Sequence, residues 1–312
     1  MAVSALDNWE KFNYLGITKF HNKGYKGQGI IIASREGTKS KHGNMVADVI
    51  QQICPAATFL ENIEYRNPKE MRADIDIYTT SLFFSSDRYE KNIQEAINAS
   101  QRGTLLCCAV GNGAKTSQTY LSKQAHWISI GACDFIKEKL VRMNYSSITK
   151  DLDFATFTNL KTNKGRFDGT SCASPCFAAM VALLQGFVKE KIGRKLTYEE
   201  LMDFIKDHCE DLDKEGFDEN TGFGMFILPD PDEIDLSKYG KIISQESAIQ
   251  KEPYIKMKIG SKEVYIDGKI QLIDTAPLIK DNRAFVPVRF LSENLGYEIE
   301  WDNINKEIKI YK

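Results

Sequence analysis

The chain is 312 residues long, which at roughly 150 residues per domain suggests two domains and a substantial core that needs no disulfide or metal to fold. Its 41 Lys and Arg against 43 Asp and Glu give a net charge of −2, so no basic field argues for nucleic acid or an anionic membrane as a partner. The longest apolar run, residues 177–184, is far shorter than the roughly 20 residues that span a bilayer. The sequence therefore predicts no membrane span.

The N-terminal segment lacks the basic start and the apolar core of a secretory signal. The seven cysteines are odd in number and lie mostly in apolar segments before residue 210, which favours free thiols in a reducing compartment. The four histidines are scattered, and neither CxxC nor HExxH occurs, so we expect no metal site and no cofactor. These features predict a cytoplasmic protein, with export or association with a particle without a signal peptide as the alternative.

Through the first two-thirds of the chain, short apolar runs alternate with helical stretches. Residues 29–34 follow a Gly-rich turn and are apolar as a strand buried on both faces should be. Further strands are predicted over residues 57–61, 75–84, 104–110 and 127–132, and helices over residues 42–53, 87–102, 171–191 and 197–208. This alternation predicts an α/β fold with a doubly wound, mainly parallel sheet and helices on both faces.

The composition changes after Leu228. A run of proline and acidic residues and then a polar stretch predict a linker over residues 230–253, so the first domain covers residues 1–229. Residues 254–312 alternate apolar and polar positions, with a turn at 267–268, a short helix closed by Gly296 and a final pair of strands. They predict a small β-rich α+β module.

Ser171 lies in the run Phe-Asp-Gly-Thr-Ser-Cys-Ala-Ser-Pro of residues 167–175. A Gly-Thr-Ser turn that enters a helix of small residues places the hydroxyl and the backbone N–H of the serine at the helix N-terminus, where unpaired N–H groups favour developing negative charge. Pro175 is expected only within the first turn, which fixes the start of the helix independently. The simpler alternative is that Ser171 only caps a core helix.

His42 and Asn112 occupy two further positions suited to chemistry. His42 precedes Gly43 at the start of a predicted amphipathic helix, so its imidazole is expected at the mouth of the helix, a suitable place for a general base. Asn112 follows an apolar strand in Val-Gly-Asn-Gly, where its amide can point into the crevice at the carboxyl edge of the sheet. Alone, the histidine is more often structural and Gly-Asn-Gly is merely a turn. A sequence with the histidine, the asparagine and the Gly-Thr-Ser turn together in this order is much rarer than a sequence with any one of them.

At these residues the chain resembles the subtilisin-like serine proteases, the subtilase family, over about residues 12–228. Residues 24–30 are similar to the entry of the first sheet strand, and residues 54–57, 130–134 and 222–224 are similar to later family segments. The resemblance implies Ser171 as the nucleophile, His42 as its general base, and Asn112 with the Ser171 N–H as the oxyanion hole. It also implies that a substrate strand binds at four positions: Ser81, Leu82, Phe83 and Gly111.

The chain departs from the family pattern at the triad acid and at the substrate strand. Where the family has Asp-[Thr/Ser]-Gly, this chain reads Arg35-Glu36-Gly37, and we predict that Glu36 takes over the orientation of His42. The alternative is a solvated loop glutamate. Phe83 stands where a glycine normally lets a substrate strand approach, so its ring is expected to narrow the specificity pocket.

Residues 285–302 look like the copper amine oxidase N-terminal-like, or stalk, domain of bacterial envelope proteins. That stretch has no His and no Cys, so it offers copper only hard oxygen donors, and we expect the module to bind a surface or another protein, or to act as a spacer. The sequence is therefore consistent with two functions. The first is a serine endopeptidase that acts on polypeptides through an acyl-enzyme on Ser171. The alternative is a catalytically silent subtilase fold, a pseudoprotease that serves as a binding or scaffold protein.

Overall fold

The computed structural model describes residues 7–84, 94–115, 117–240, 255–266, 269–280, 283–303 and 305–311. The chain divides into two compact units, Met1–Ile243 and Ser244–Lys312, here called the N-terminal and C-terminal units. The first part of the predicted helix at 87–102, most of the predicted linker and the turn at 267–268 lie outside the described residues.

The N-terminal unit is built on a sheet with both faces covered, as the apolar runs predict. Its strands are β1 (Ile31–Ser34), β2 (Thr58–Leu60), β3 (Ile77–Thr80), β4 (Leu105–Ala109), β5 (Ile128–Ile136), β6 (Lys139–Arg142), β7 (Phe154–Phe157), β10 (Cys209–Glu210) and β11 (Met225–Phe226). Their order is β10-β11-β7-β5-β4-β3-β1-β2, with β6 beside β5. The pairs from β2 through β11 are parallel, and β6 and β10 pair antiparallel with β5 and β11. A separate hairpin joins β8 (Leu160–Thr162) to β9 (Gly165–Phe167).

The helices flank this sheet and confirm the predicted α/β layout. They are α1 (Asn8–Tyr14), α2 (Ile17–Asn22), α3 (Lys41–Ile53), α4 (Gln94–Gln101), α5 (Thr170–Ile192) and α6 (Tyr198–Asp207). Neighbouring strand residues point to different cores: Ile32 joins α3, α5 and α6 on one face, whereas Ala33 joins α4 on the other. Among the described helices, α5 has the length and apolar composition to cross a membrane, but 94% of that apolar window is buried inside the fold, as in an ordinary core helix.

The sequence pattern did not predict α1 and α2. A capping box between Asp7 and Glu10 starts α1. The fully buried Lys11 on this helix pairs with Asp134 at 2.8 Å and donates a 2.7 Å hydrogen bond to the carbonyl of Thr158. An ion pair that is also hydrogen-bonded can be buried. Lys11 therefore lies on the buried side of α1, where periodicity would lead one to expect an apolar residue.

Residues 230–240, which were expected to open the linker, pack against the N-terminal unit instead. Leu236 is buried in the main core, and Ile234 and Tyr239 lie against it. Three apolar side chains within an otherwise polar stretch supply this contact, so the composition alone placed the start of the linker too early.

The C-terminal unit is β-rich, as expected. It contains a three-stranded antiparallel sheet of β12 (Ile255–Met257), β13 (Glu263–Ile266) and β14 (Lys269–Leu272), then the hairpin of β15 (Leu278–Lys280) and β16 (Arg283–Phe285). Helix α7 (Val288–Asn294) and the hairpin of β17 (Glu298–Asp302) and β18 (Glu307–Tyr311) complete it. The final pair of strands that the sequence predicts is present, with Ile299 opposite Ile310 and Trp301 opposite Ile308.

Candidate active site

Ser171 is the second residue of α5, the long buried helix of the N-terminal unit. The helix begins after Gly169, which has a φ of 83°, a conformation that side chains disfavour. A Cβ atom on Gly169 would also lie 3.1 Å from the amide nitrogen of Asn112. Glycine is therefore required in the turn that presents the serine.

A hydrogen-bond network that the sequence analysis missed fixes this turn. Tyr145 donates to Asp168 at 2.5 Å and accepts from the N–H of Gly169 at 3.2 Å, and the Thr158 hydroxyl donates to the Gly169 carbonyl at 2.9 Å. Burial and the Asp168 carboxylate raise the pKa of Tyr145, so its hydroxyl stays protonated at neutral pH. Asp168 stands beside the Gly-Thr-Ser turn and could have been singled out, but nothing in the sequence relates Tyr145 or Thr158 to it.

Asn112 follows β4 and reaches the start of α5. Its Oδ1 atom accepts hydrogen bonds from the N–H and the hydroxyl of Thr170, both at 3.0 Å. These two bonds fix the amide so that only its NH₂ group remains available to donate. The Ser171 N–H is one of the first four of α5, which lack partners within the helix. The two expected oxyanion donors thus lie at the same helix start.

Ser171 and Ser81 exchange two hydrogen bonds. The Ser81 hydroxyl donates to the Ser171 carbonyl at 2.8 Å, and the Ser171 hydroxyl donates to the Ser81 carbonyl at 3.3 Å. Pro175 explains why the Ser171 carbonyl can accept: a proline four residues later has no N–H to complete the helical bond. The expectation that Pro175 lies in the first turn is wrong, since it is the sixth residue of α5, and the side chain of Ser81 satisfies the carbonyl that it leaves free.

His42 lies in the first turn of α3, as predicted, and is half-buried. Ser40 caps this helix by accepting the Gly43 N–H at 2.9 Å. The ring of Phe167 meets the imidazole edge to face, with centroids 5.4 Å apart. Within the described residues His42 makes no hydrogen bond, either to Ser171 or to a carboxylate. Catalytic hydrogen bonds often tighten only when substrate binds, so the lack of a hydrogen bond to Ser171 leaves His42 a candidate base.

Glu36 follows β1 and is only 4% exposed, so the alternative of a solvated loop glutamate is wrong. The Ser34 hydroxyl donates to its Oε2 at 2.6 Å, and the Ser81 N–H donates to its Oε1. Arg35, which the resemblance aligns with the family's aspartate, pairs with Glu64 at 3.2 Å. The structure brings Glu36 to Ser81 and gives it no hydrogen bond to His42, so the orientation of His42 by Glu36 stays a prediction.

A pocket of about 320 Å³ opens beside the nucleophile candidate. Its lining includes all four expected substrate-binding residues together with Asn112 and Ser171: Ser81, Leu82, Phe83 and Gly111. The half-exposed ring of Phe83 comes within 3.4 Å of the place where a Cβ on Gly111 would stand. Phe83 thus forms one wall of this pocket, directly over Gly111.

Neither unit presents a metal centre in the described part of the chain, where no three His, Cys, Asp or Glu side chains come together as ligands. Residues 254–312 contain neither imidazole nor thiolate, so the donors that copper prefers do not occur in that segment.

Comparison with known proteins gives the same two-part division. Residues 24–224 match the model of the subtilase family, and residues 243–310 match the copper amine oxidase N-terminal domain. The chain is 27% identical over 172 residues to the major intracellular serine protease of Bacillus subtilis (strain 168); the match covers 51% of this chain and 52% of that protease, about half its length.

Solved structures show the same fold. The crystal structure of a lanthipeptide protease matches with a TM-score of 0.57 at 16% identity, covering 70% of this chain and 92% of that one. Fervidolysin from Fervidobacterium pennivorans, a keratinolytic enzyme related to subtilisin, matches with a TM-score of 0.60 at 15% identity, covering 73% of this chain and 46% of that one. Because the family model matches residues 24–224, which is more than half of the chain and includes both helices of the site, the chain belongs to the subtilase family.

Proposed function

We propose that the chain is a serine endopeptidase. The Ser171 Oγ atom attacks the scissile carbonyl carbon while His42 takes the hydroxyl proton. The carbonyl oxygen becomes an oxyanion held by the Asn112 NH₂ group and the Ser171 N–H. His42 then passes the proton to the leaving amine as the C–N bond breaks, which leaves an acyl-enzyme that water hydrolyses by the same route in reverse.

The observation that carries this proposal is the orientation of Asn112. Both bonds to Thr170 occupy its oxygen, which leaves the NH₂ group as the donor, on the wall of the pocket that also contains Ser171. A donor fixed before the reaction stabilises developing charge without reorganisation. Membership of the subtilase family and the likeness to an intracellular serine protease support the same reaction, a polypeptide substrate and a cytoplasmic location.

The pseudoprotease remains the second candidate because of one specific observation. Arg35 stands at the family's aspartate position, and no carboxylate among the described residues is hydrogen-bonded to His42. A histidine without an orienting acid is a weaker base, since the acid holds its tautomer and stabilises the imidazolium. Orientation of His42 by Glu36, which the sequence predicts, would supply such an acid, but the hydrogen bonds of Glu36 among the described residues go to Ser34 and Ser81 instead.

Labelling with diisopropyl fluorophosphate tests the proposal. The expected result is a single phosphoryl adduct on Ser171, found by peptide mass spectrometry, with none on the matched Ser171→Ala protein. Asn112→Ala, which keeps the nucleophile, should be labelled more slowly. A folded wild-type chain that neither forms the adduct nor cleaves casein would instead be the pseudoprotease.

For the C-terminal unit we propose binding to a surface or to another protein. The many exposed apolar side chains among its described residues support this role.

A further inference from the structure

We infer that Glu36 is a positioning residue for the nucleophile, which it reaches through Ser81 and not through His42. This inference rests on the proposed function, because it assigns Ser171 the role of nucleophile. It concerns a contact network of Glu36, Ser34, Ser81 and Ser171 that crosses from the end of β1 to the end of β3 and on to α5.

The hydrogen-bond ladder between β1 and β3 ends at the carboxyl edge of the sheet. Strands β1 and β3 are paired up to Ser34 and Thr79, and the Arg35 N–H still donates to the Thr79 carbonyl at 3.3 Å. At the next position the ladder stops. The Ser81 N–H donates to the Oε1 atom of Glu36, so a side chain replaces the backbone acceptor that the ladder would supply.

The contact between Glu36 and the Ser81 N–H is buried. Glu36 is 4% exposed, and a carboxylate removed from water needs compensating donors. It has two: the Ser34 hydroxyl at 2.6 Å and the Ser81 N–H. Hydrogen bonds to an ionised acceptor are shorter and stronger than neutral ones. The contact therefore fixes the peptide between Thr80 and Ser81 firmly in place.

Ser81 in turn contacts the nucleophile candidate, Ser171. The carbonyl of Ser81 accepts the Ser171 hydroxyl at 3.3 Å, and the hydroxyl of Ser81 donates at 2.8 Å to the Ser171 carbonyl, which Pro175 leaves without a helical partner. One serine thus contacts Ser171 at both its side chain and its backbone. Whatever holds Ser81 in place also sets the position from which the Ser171 Oγ atom begins its attack.

Two roles for Glu36 can be distinguished by separating its negative charge from its ability to accept hydrogen bonds. If the carboxylate positions Ser81, then any acceptor of similar length serves, and a glutamine supplies one. If the carboxylate orients His42, then its negative charge is essential, because it stabilises the imidazolium. Glu36→Gln keeps the acceptor and removes the charge, whereas Glu36→Ala removes both.

Asp153 offers a matched control. Its Oδ2 atom, just before β7, accepts the Ser129 N–H at 2.8 Å and the Ser129 hydroxyl at 3.2 Å, the same pair of donor types that Glu36 has, and neither residue is hydrogen-bonded to Ser81 or Ser171 among the described residues. Asp153→Ala should lower the melting temperature yet leave the labelling rate of the folded protein unchanged. It reports what the loss of a largely enclosed, doubly hydrogen-bonded carboxylate does by destabilisation alone.

The experiment measures the rate of Ser171 labelling by diisopropyl fluorophosphate as a function of pH in the full chain. We expect Glu36→Ala to slow labelling by about 10- to 100-fold, since the Ser81 N–H is left buried and unpaired. Glu36→Gln should recover most of that loss with the midpoint of the pH profile unchanged. Combined with Ser81→Ala, the loss from Glu36→Ala should be less than multiplicative, because both changes loosen the same residue, Ser81, against Ser171.

Three results would overturn the inference: labelling of Glu36→Gln as slow as that of Glu36→Ala, a pH midpoint displaced to lower pH in Glu36→Gln, or a slowing in Asp153→Ala equal to that in Glu36→Ala. The first two would assign Glu36 to His42. If wild type forms no adduct, the proposed function fails, and hydrogen exchange at the Ser81 amide decides the contact by itself. Protection in wild type and Glu36→Gln but not in Glu36→Ala supports it; equal exchange in all three proteins refutes it.

Discussion

The two units use their apolar residues in opposite ways. In the N-terminal unit, 18 of the 23 residues of α5 are buried, and the larger of its two cores extends from α1 to residue 239. In the C-terminal unit, Val264, Ile266 and Ile273 are the buried core residues among those described, with partly buried neighbours. Large apolar side chains are exposed on its strands: Ile270, Leu272, Ile279, Phe285, Trp301, Ile308 and Ile310.

This contrast indicates where each unit does its work. The N-terminal unit encloses its apolar residues and presents polar groups, fixed by hydrogen bonds, at the carboxyl edge of its sheet, as catalysis requires. The C-terminal unit presents apolar surface, as binding requires. The comparison therefore predicts that chemistry is confined to the first unit, and the following experiments test that separation from the largest expected effect to the smallest.

Ser171→Ala should abolish casein hydrolysis, with a loss in kcat of about 10⁶-fold, because no other residue can form the acyl-enzyme. Stability should fall by only about 1 kcal/mol, since the variant loses one long hydrogen bond to the Ser81 carbonyl. A discontinuous assay of casein fragments and a thermal melt measure both quantities. Residual cleavage by the purified variant would mean that the nucleophile lies elsewhere, even in the C-terminal unit.

Asn112→Ala should lower kcat by about 10²- to 10³-fold with little change in KM, because its NH₂ group acts on the oxyanion and not on the bound substrate. Loss of its Oδ1 atom also frees the N–H and hydroxyl of Thr170, so the start of α5 should loosen slightly. Steady-state kinetics on a peptide ester measure the split. An unchanged kcat would show that other donors form the oxyanion hole.

The thiols should make the N-terminal unit alone sensitive to alkali. Burial raises the pKa of Cys54 and Cys176 from 9.0 to about 12, and it also raises the pKa of Cys107. Since the folded pKa values lie above the unfolded ones, this contribution to stability is complete below pH 9 and is lost as pH rises from about 9 toward 12. Each thiol contributes a slope of about 1.4 kcal/mol per pH unit in that range.

Urea unfolding at pH 8, 9 and 10 measures this slope, and Cys107→Ala should reduce it by the contribution of one thiol. The C-terminal unit contains no cysteine, so its transition should lack this contribution. Equal alkaline slopes for Cys107→Ala and wild type would mean that the Cys107 thiol ionises as readily in the folded protein as in the unfolded chain.

Tyr145→Phe should have a smaller effect on catalysis. It removes the hydroxyl that accepts the Gly169 N–H and donates to Asp168, so the turn before Ser171 loses one anchor while the Thr158 bond to the Gly169 carbonyl remains. We expect kcat to fall by about tenfold, comparable to the net value of one or two hydrogen bonds. Tyr239→Phe removes the hydroxyl of a tyrosine that packs against the main core and takes no part in the hydrogen bonds around Gly169, so as the control it should leave kcat unchanged.

The sequence predicted the parts of this molecule that depend on local pattern. Strands β1 to β5 and the four long helices follow from apolar periodicity, and the Gly-Thr-Ser turn follows from the need for a helix start at Ser171. The short buried strands β7 and β11 were not predicted. Contacts between distant segments did not follow. Lys11 of α1 is buried because Asp134 of β5 lies beside it, and Glu36 meets Ser81 because β1 and β3 are neighbours. Periodicity carries no information on such pairings.

Copper should leave the C-terminal unit unaffected, which is the smallest effect that the comparison predicts. Tight copper sites use imidazole or thiolate donors, and residues 254–312 contain neither, although residues 243–310 match a domain named for copper amine oxidase. The four histidines and seven cysteines all lie before residue 210, so any copper that binds must bind in the N-terminal unit. Calorimetric titration of the full chain and of a chain ended after Gly240 should give the same stoichiometry. An additional tight site in the full chain would mean that carboxylates and the Met257 thioether of the C-terminal unit do form a copper centre, and the division of chemistry and binding between the two units would no longer hold.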